Sequence, residues 1–532
     1  MKYFSTRGSP DLLTFSEVVL IGLSKDGGLF IPQTIPTLPS DWKTAWLNHS
    51  FTSLALEIFS LYIPDNEIPR KDLECLINKS YSTFRESDIT PLKKIKENFY
   101  ILELFHGPTF AFKDVALQFL GNLFEYLLEK KNLESLEKKD TNKKERITIL
   151  GATSGDTGSA AIYGLRNKKD ISVFILHPRG KVSPVQEAQM TTVLDKNVHN
   201  IAVEGTFDDC QDIVKTLFSD NQFNQKHNLG AINSINWARI LAQIVYYFHS
   251  YFQLFSSLNI LPNSPEANNI KFQYCVPTGN FGDILAGYYA KHMGLPIENL
   301  VVATNSNDIL DRFFKTGRYE KIVKIVNDGE GNGIGGHTVY ETLSPAMDIS
   351  ISSNFERLLW YLAYESIDTK SGKEKINLAG SIVKKWMDDL KSKQCLTVER
   401  AQLELALRDF KSDKISDQET METIRRYYVP QDSRSQISYV LDPHTAVGVA
   451  AADRQKIPSN MYQICLSTAH PAKFSAAVEE SLKSFSEFKF QEILPKEFVG
   501  LLEKEKRCVY IEKADPEMVK KTIECELEKE FI

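Results

Sequence analysis

From about residue 98 onward, short apolar runs alternate with longer segments of helical period, and this alternation constrains the fold more than any other feature of the sequence. Phe99-Tyr-Ile-Leu-Glu-Leu-Phe105 reads as a strand. Lys113 to Leu128 then places apolar side chains at Ala116, Phe119, Leu120, Leu123, Phe124 and Leu127, one stripe of a helix. The pair recurs: Ile147 to Leu150 leads through a glycine loop to a helix from about Gly158, Ile171 to Leu176 to a helix over Pro184 to Thr191, and Val198 to Val203 to one over Phe207 to Phe218. Strands are also expected over Phe272 to Val276, Leu300 to Ala303, Ser438 to Leu441 and Tyr462 to Leu466, each followed by a helical segment. Strands joined by crossover helices run parallel, so the expected class is α/β with doubly wound parallel sheets.

Residues 1 to about 95 lack this rhythm and read as a mainly helical N-terminal domain, with a turn at Asp26-Gly-Gly28 and a proline-rich link from Pro32 to Pro39. A chain of 532 residues is long enough for several cores, since single cores stop growing near ~250–300 residues. With 42% hydrophobic and 25% charged residues, intrinsic disorder is excluded. The net charge of −6 provides no global field for nucleic acid or an anionic membrane, so an anionic ligand needs a local site. The segment Glu129 to Arg146, with seven basic and five acidic residues, is expected to be a solvated loop. Ile240 to Phe255 is apolar but broken by Gln243, His249, Ser250 and Gln253, which argues against a membrane span. Nothing in the N-terminal stretch reads as a targeting peptide, and a cytoplasmic location is expected. The seven cysteines form no C-x-x-C pair and read as reduced. The ten histidines show no metal-ligand spacing, and there is no G-x-S-x-G elbow.

Three strand-to-helix turns could carry chemistry. In Phe105-His-Gly-Pro-Thr-Phe-Ala-Phe-Lys-Asp114 a lysine opens a helix at the carboxyl edge of a sheet, where open α/β proteins bind ligands. The helix terminus and the flanking Phe110 and Phe112 would disfavour the ammonium and suit Lys113 to Schiff-base chemistry; an ordinary surface lysine is the alternative. Gly151-Ala-Thr-Ser-Gly-Asp-Thr-Gly158 offers helix N–H groups and the hydroxyls of Thr153, Ser154 and Thr157 to a carboxylate or phosphate, or is a capped glycine turn and no more. Val276-Pro-Thr-Gly-Asn-Phe-Gly-Asp283 could hold a phosphate on free N–H groups, or simply cap a helix through Asp283. Two anion nests and one poised lysine together suggest a phosphorylated aldehyde cofactor and a substrate bearing a carboxylate. Gly331-Asn-Gly-Ile-Gly-Gly336 matches G-x-G-x-x-G but follows no strand and opens no convincing helix, so it is expected to be a surface loop.

The residues His106 to Asp114, Ala152 to Gly158, Gly279 to Asp283 and Ser467-Thr-Ala-His-Pro-Ala-Lys-Phe474 resemble threonine synthase of the longer, fungal type. The resemblance runs nearly end to end, through Ser5 to Gly8, Asp26 to Pro32, Asn233 to Arg239 and Leu441 to Gly448, and lapses around residues 323 to 339. It implies a fold-type II pyridoxal-phosphate enzyme, a carbon–oxygen lyase of threonine biosynthesis that converts O-phospho-L-homoserine and water into L-threonine and phosphate. A related phospho-lyase releasing 2-oxobutyrate, phosphate and ammonia is the alternative. A binding protein without activity would have lost the lysine or the loops, and all are intact.

On this resemblance Lys113 would carry pyridoxal 5'-phosphate as a Schiff base, Gly279, Asn280, Phe281, Gly282 and Asp283 would wrap its phosphate, and Thr468 would meet its ring nitrogen. Ser154, Asp156 and Thr157 would take the substrate carboxylate, and Arg7, Asn236 and Arg239 are candidates for its phosphate. The implied division is an N-terminal domain over 1–95, a domain with the lysine and carboxylate loop over 96–265, and a cofactor-phosphate domain with a C-terminal helical extension over 266–532.

Overall fold

The computed structural model describes residues 1–137, 144–327, 333–337, 339–368, 372–430 and 438–530. Two sheets organise it. The five-stranded sheet has the order Val509–Ile511, Val198–Val203, Ile171–Pro178, Ile147–Ala152, Leu229–Ala231, and every pairing is parallel. The six-stranded sheet has the order Phe410–Lys414, Ile297–Thr304, Lys271–Pro277, Met461–Ser467, Phe99–Glu103, Leu92–Lys96, parallel except for its last, antiparallel edge strand.

The strands read as continuous apolar runs because both faces of each sheet are covered. Along one strand Val173 and Ile175 enter the large central core, while Phe174 and Leu176 enter a second cluster on the far face. Tyr274 and Val276 join the central core and Cys275 a third cluster; Ile464 and Leu466 divide from Cys465 in the same way. Both sheets therefore share one core. At its centre lies the helix Trp237–Leu258, buried over most of its circumference, which explains an apolar stretch that is not a membrane span. Among the described residues no helix is long and apolar enough to cross a membrane. The N-terminal helices Phe51–Tyr62 and Arg70–Tyr81 pack into the same core, with Trp42 against Phe248 and Tyr3 against Trp237 at ring-centroid separations of 5.8 and 5.7 Å.

The helix Lys113–Glu137 crosses the helix Asp156–Leu165 at backbone contact. A Cβ on Gly121 would lie 2.0 Å from the carbonyl oxygen of Gly164, and one on Gly164 would lie 2.4 Å from that of Leu117. Only glycine permits this approach, and it brings the starts of the two helices, with Lys113 and Asp156, to one place.

Several expectations are corrected. Ser438 to Leu441 form no strand: Tyr439 gives its N–H to the Tyr427 carbonyl and its hydroxyl to Glu103, and the edge beside Ile297–Thr304 is filled by Phe410–Lys414. The charged segment from Glu129 is not loop throughout, because the helix continues to Glu137; residues 138–143 lie outside the described residues. The glycine-rich segment is also not simply a loop: Gly333–His337 pairs antiparallel with Val323–Asn327, and 328–332 lie outside the described residues. The C-terminal extension is not helical alone, since Val509–Ile511 returns to edge the five-stranded sheet before the helix Pro516–Glu530. All seven cysteines are free.

Candidate active site

Lys113 is the first residue of its helix and 9% exposed. Burial pushes its amine below the usual lysine range; Asp156 opposes that, while Lys473 and Arg239 reinforce it. The sequence reading named the aromatic neighbours as a cause of this shift, and the geometry differs. The Phe112 ring centroid is 4.8 Å from the amine, a placement that favours the cation, and Phe110 packs instead against Phe498 and beneath the Arg85 guanidinium. Burial is the largest cause of the lowering.

Asp156 is buried, and burial pushes its carboxyl up, but Lys473 and Lys113 more than reverse this and hold it well below the usual range. Its Oδ1 accepts from Lys473 Nζ at 2.7 Å and from Gln186 Nε2 at 2.8 Å, and its Oδ2 lies 3.7 Å from Lys113 Nζ. The carboxylate is thus turned toward amines. An acid in the first turn of a helix is so often a dipole partner that this role was not legible in the sequence.

In the same loop, Thr153 is not part of the open nest, because its Oγ1 accepts the N–H groups of Gly155 at 3.0 Å and Gly158 at 2.8 Å. The N–H groups of Asp156 and Thr157, at the helix start, have no intrahelical acceptor. Ser154 is exposed and Thr157 half-buried beside them.

The turn at 279 to 283 joins the strand Lys271–Pro277 to the helix Gly282–Met293, whose first N–H groups face outward from the helix end. Phe281 takes a φ of 61° and is itself the residue before the helix, so Asp283 does not cap it. The Asp283 side chain points to Tyr246, which donates to its Oδ1, and burial pushes its carboxyl up to about 7. Asp283 therefore contributes backbone, not side-chain charge, to the turn. The segment 344–354 walls the turn: Ser352 Oγ donates to the Gly279 carbonyl at 2.7 Å, the Asn354 N–H to the Asn280 carbonyl at 3.1 Å, and a Cβ on Gly279 would come within 3.0 Å of the Ala346 carbonyl oxygen. None of these supporting residues carried a sequence signal.

Thr468 follows the strand Met461–Ser467 and is buried; its N–H donates to Thr445 Oγ1 at 3.3 Å. Arg239, near the start of the central helix, is 3% exposed, and among the described residues its Nε and Nη1 meet no hydrogen-bond partner. Burial lowers its guanidinium to about 10. A buried cation with open donors calls for an anion. Arg7 and Asn236 are differently disposed: Arg7 forks onto Glu356 at 2.9 and 2.8 Å, and Asn236 caps the central helix and donates to the Val19 carbonyl.

The ends of several parallel strands thus bring together a desolvated amine, two helix N-termini and an orphan guanidinium, a donor set suited to a phosphorylated aldehyde and an anionic substrate. Comparison with known proteins agrees. Family profiles described as Threonine synthase N terminus, Pyridoxal-phosphate dependent enzyme and Threonine synthase, C-terminal match residues 2–81, 87–372 and 445–523. The threonine synthase of Schizosaccharomyces pombe is 52% identical, covering 100% of this chain and 99% of its own length. That of Saccharomyces cerevisiae is 52% identical, covering 99% and 98%. A crystal structure of threonine synthase from yeast matches with a TM-score of 0.89 at 51% identity, covering 99% of both chains. The chain belongs to the threonine synthase family of pyridoxal-phosphate-dependent enzymes.

Proposed function

We propose that Lys113 is the amine that holds pyridoxal phosphate in this chain, that the turn from Gly279 to Asp283 receives the cofactor's phosphate on its N–H groups, and that the Thr468 hydroxyl meets the ring nitrogen. The reaction is conversion of O-phospho-L-homoserine and water into L-threonine and phosphate. Pyridoxal phosphate, when bound, supplies an electron sink for negative charge at the substrate's α carbon. The protein must orient bonds and move protons.

The residues fit the group. Among the described residues the Lys113 amine has no hydrogen-bonded carboxylate, its closest being Asp156 at 3.7 Å, so it is available as a nucleophile. The Asp283 carboxyl, turned to Tyr246, does not oppose a phosphate at the helix start. With its amine free of the cofactor, Lys113 would be the base that takes and returns protons at the substrate's α and β carbons.

For the substrate, Arg239 is the strongest phosphate partner, because its Nε and Nη1 are unpaired among the described residues, whereas Arg7 donates to Glu356 and Asn236 to the Val19 carbonyl. The N–H groups of Asp156 and Thr157, with the hydroxyls of Ser154 and Thr157, suit the substrate carboxylate; the Asp156 side chain, an anion paired to lysines, does not.

The observation that carries this reading is the desolvated Lys113 amine with Arg239 in its field, whose Nε and Nη1 meet no hydrogen-bond partner among the described residues. Product analysis tests it. With O-phospho-L-homoserine the purified protein should yield threonine and phosphate in equal amounts. Release of 2-oxobutyrate and ammonia in place of threonine would assign the phospho-lyase reaction instead.

A further inference from the structure

Two lysines are buried side by side, and the chemistry above uses one. Lys473 lies in the short helix Pro471–Phe474, is 1% exposed, and donates from Nζ to Asp156 Oδ1 at 2.7 Å and to the Thr109 carbonyl at 2.8 Å. The same Oδ1 accepts from Gln186 Nε2, while Oδ2 faces Lys113 Nζ at 3.7 Å. One carboxylate has one negative charge to share between two amines. The shorter contact belongs to Lys473, so the charge of Asp156 that reaches Lys113 is offset in part by the charge of Lys473.

We propose that Lys473 is a positioning residue for the reaction, which by pairing with Asp156 keeps that carboxylate from capturing a proton on Lys113 and so leaves the Lys113 amine nucleophilic. This rests on the reading of Lys113 given above. The charged groups facing Lys113 among the described residues enter the balance. Asp114 lies on its own helix, Asp156 on the helix Asp156–Leu165, Arg239 on the central helix, Asp283 on the helix Gly282–Met293, and Lys473 on the short C-terminal helix. His444, on the helix Pro443–Arg454, adds to the field at Asp156. Asp114 is held by the Thr109 N–H and hydroxyl at 2.7 and 2.8 Å and pushed up to about 6 by burial, and Asp283 is pushed up to about 7. Asp156 is therefore the firm negative charge among these carboxylates, and the cation paired with it decides how far that charge opposes the lowering that burial imposes on Lys113.

A purely structural clip would look the same in outline, since Lys473 also ties the loop carrying Thr109 to the helix carrying Asp156. The two roles separate in the pH dependence of Lys113. In the full-length, cofactor-free chain, competitive acetylation with acetic anhydride, read peptide by peptide by mass spectrometry, reports the midpoint at which Lys113 loses its proton. Lys473→Met is expected to raise that midpoint by about one pH unit, a roughly tenfold slower labelling of Lys113 at neutral pH, because Asp156 then has only Lys113 to pair with. Asp156→Asn is expected to move it the opposite way, because Lys473 then faces Lys113 unneutralised. Lys473→Arg should keep the midpoint near the parental one. Circular dichroism establishes which variants are folded, and if Lys473→Met is not, Lys473→Gln, which removes the charge but keeps a donor for the Thr109 carbonyl, takes its place with the same expected rise. Midpoints that coincide with the parental one, or that move together, overturn the proposal. The measurement needs no turnover, so its failure leaves threonine formation standing, and an unexpected product would leave the labelling result standing.

Discussion

The carbonyl of Thr468 accepts the backbone N–H of Phe112 at 2.8 Å, tying the residue after one parallel strand to the residue before Lys113. A bridge between Ala111 and Ala469 and a bond from the His470 N–H to the Phe110 carbonyl extend the seam. The seam fixes Thr468 relative to Lys113, which suits the proposal that the two meet opposite parts of one cofactor ring. Thr468→Ser, which keeps the hydroxyl, is expected to keep threonine as the product. Thr468→Asp is expected to hold the ring nitrogen protonated and divert turnover toward side products, measured as the ratio of threonine to 2-oxo acid. An aspartate variant with the parental rate and ratio would show that Thr468 does not meet that nitrogen.

The glycine crossing should be intolerant of a single carbon. Gly121→Ala puts a Cβ about where the Gly164 carbonyl stands, so the helices must separate. A stability loss of about 2–3 kcal/mol is expected in urea unfolding. Because the crossing also sets the spacing of Lys113 and Asp156, cofactor affinity should fall as well. Parental values of both would mean that the close approach is relaxed in solution.

At the turn proposed to hold the cofactor phosphate the expected damage differs from a blocked nest. A side chain on Gly279 points into the backbone of Ala346 and Met347, so Gly279→Val displaces the wall of the turn. Cofactor retention on dialysis should weaken by roughly tenfold or more, about the loss of one charge-assisted hydrogen bond. Thermal stability should fall with it. Unchanged retention would locate the phosphate elsewhere.

Acid sensitivity should trace in part to His177, at the end of the strand Ile171–Pro178. It is fully buried, neither ring nitrogen meets a partner among the described residues, and burial pushes it down to about 4. The unfolded chain takes up this proton near pH 6.5, before the native state does, so stability is full above that value and is lost as pH falls toward about 4. The loss is on the order of 3 kcal/mol. His177→Asn should remove one proton's share from the slope of unfolding free energy against pH in this window. His249 and His470, also held near 4, keep the rest. A slope identical to the parental one would contradict this.

What the sequence revealed and concealed follows from locality. The helix over Pro184–Thr191 was legible because Ser183 caps it and a proline opens it, and the central strands because their apolar runs are covered on both faces. Phe410–Lys414 was not, since an edge strand of mixed polarity has no periodic signature. In the site, Lys113 and the glycine turns announced themselves by their place between strand and helix. The pairing of Asp156, expected at the substrate, with Lys473, which was given no role, was not legible, because the two meet only across the gap between two sheets. The orphan donors of Arg239 were equally invisible: burial without partners is a property of packing.

The central claim is that Lys113, not the neighbouring buried Lys473, is the amine that holds the cofactor. Borohydride reduction of the protein with pyridoxal phosphate bound, followed by peptide mass mapping, tests it directly. The expected result is a single phosphopyridoxyl group on Lys113, absent from Lys113→Ala. A label on Lys473 or on any other lysine, or no label at all, would contradict the account.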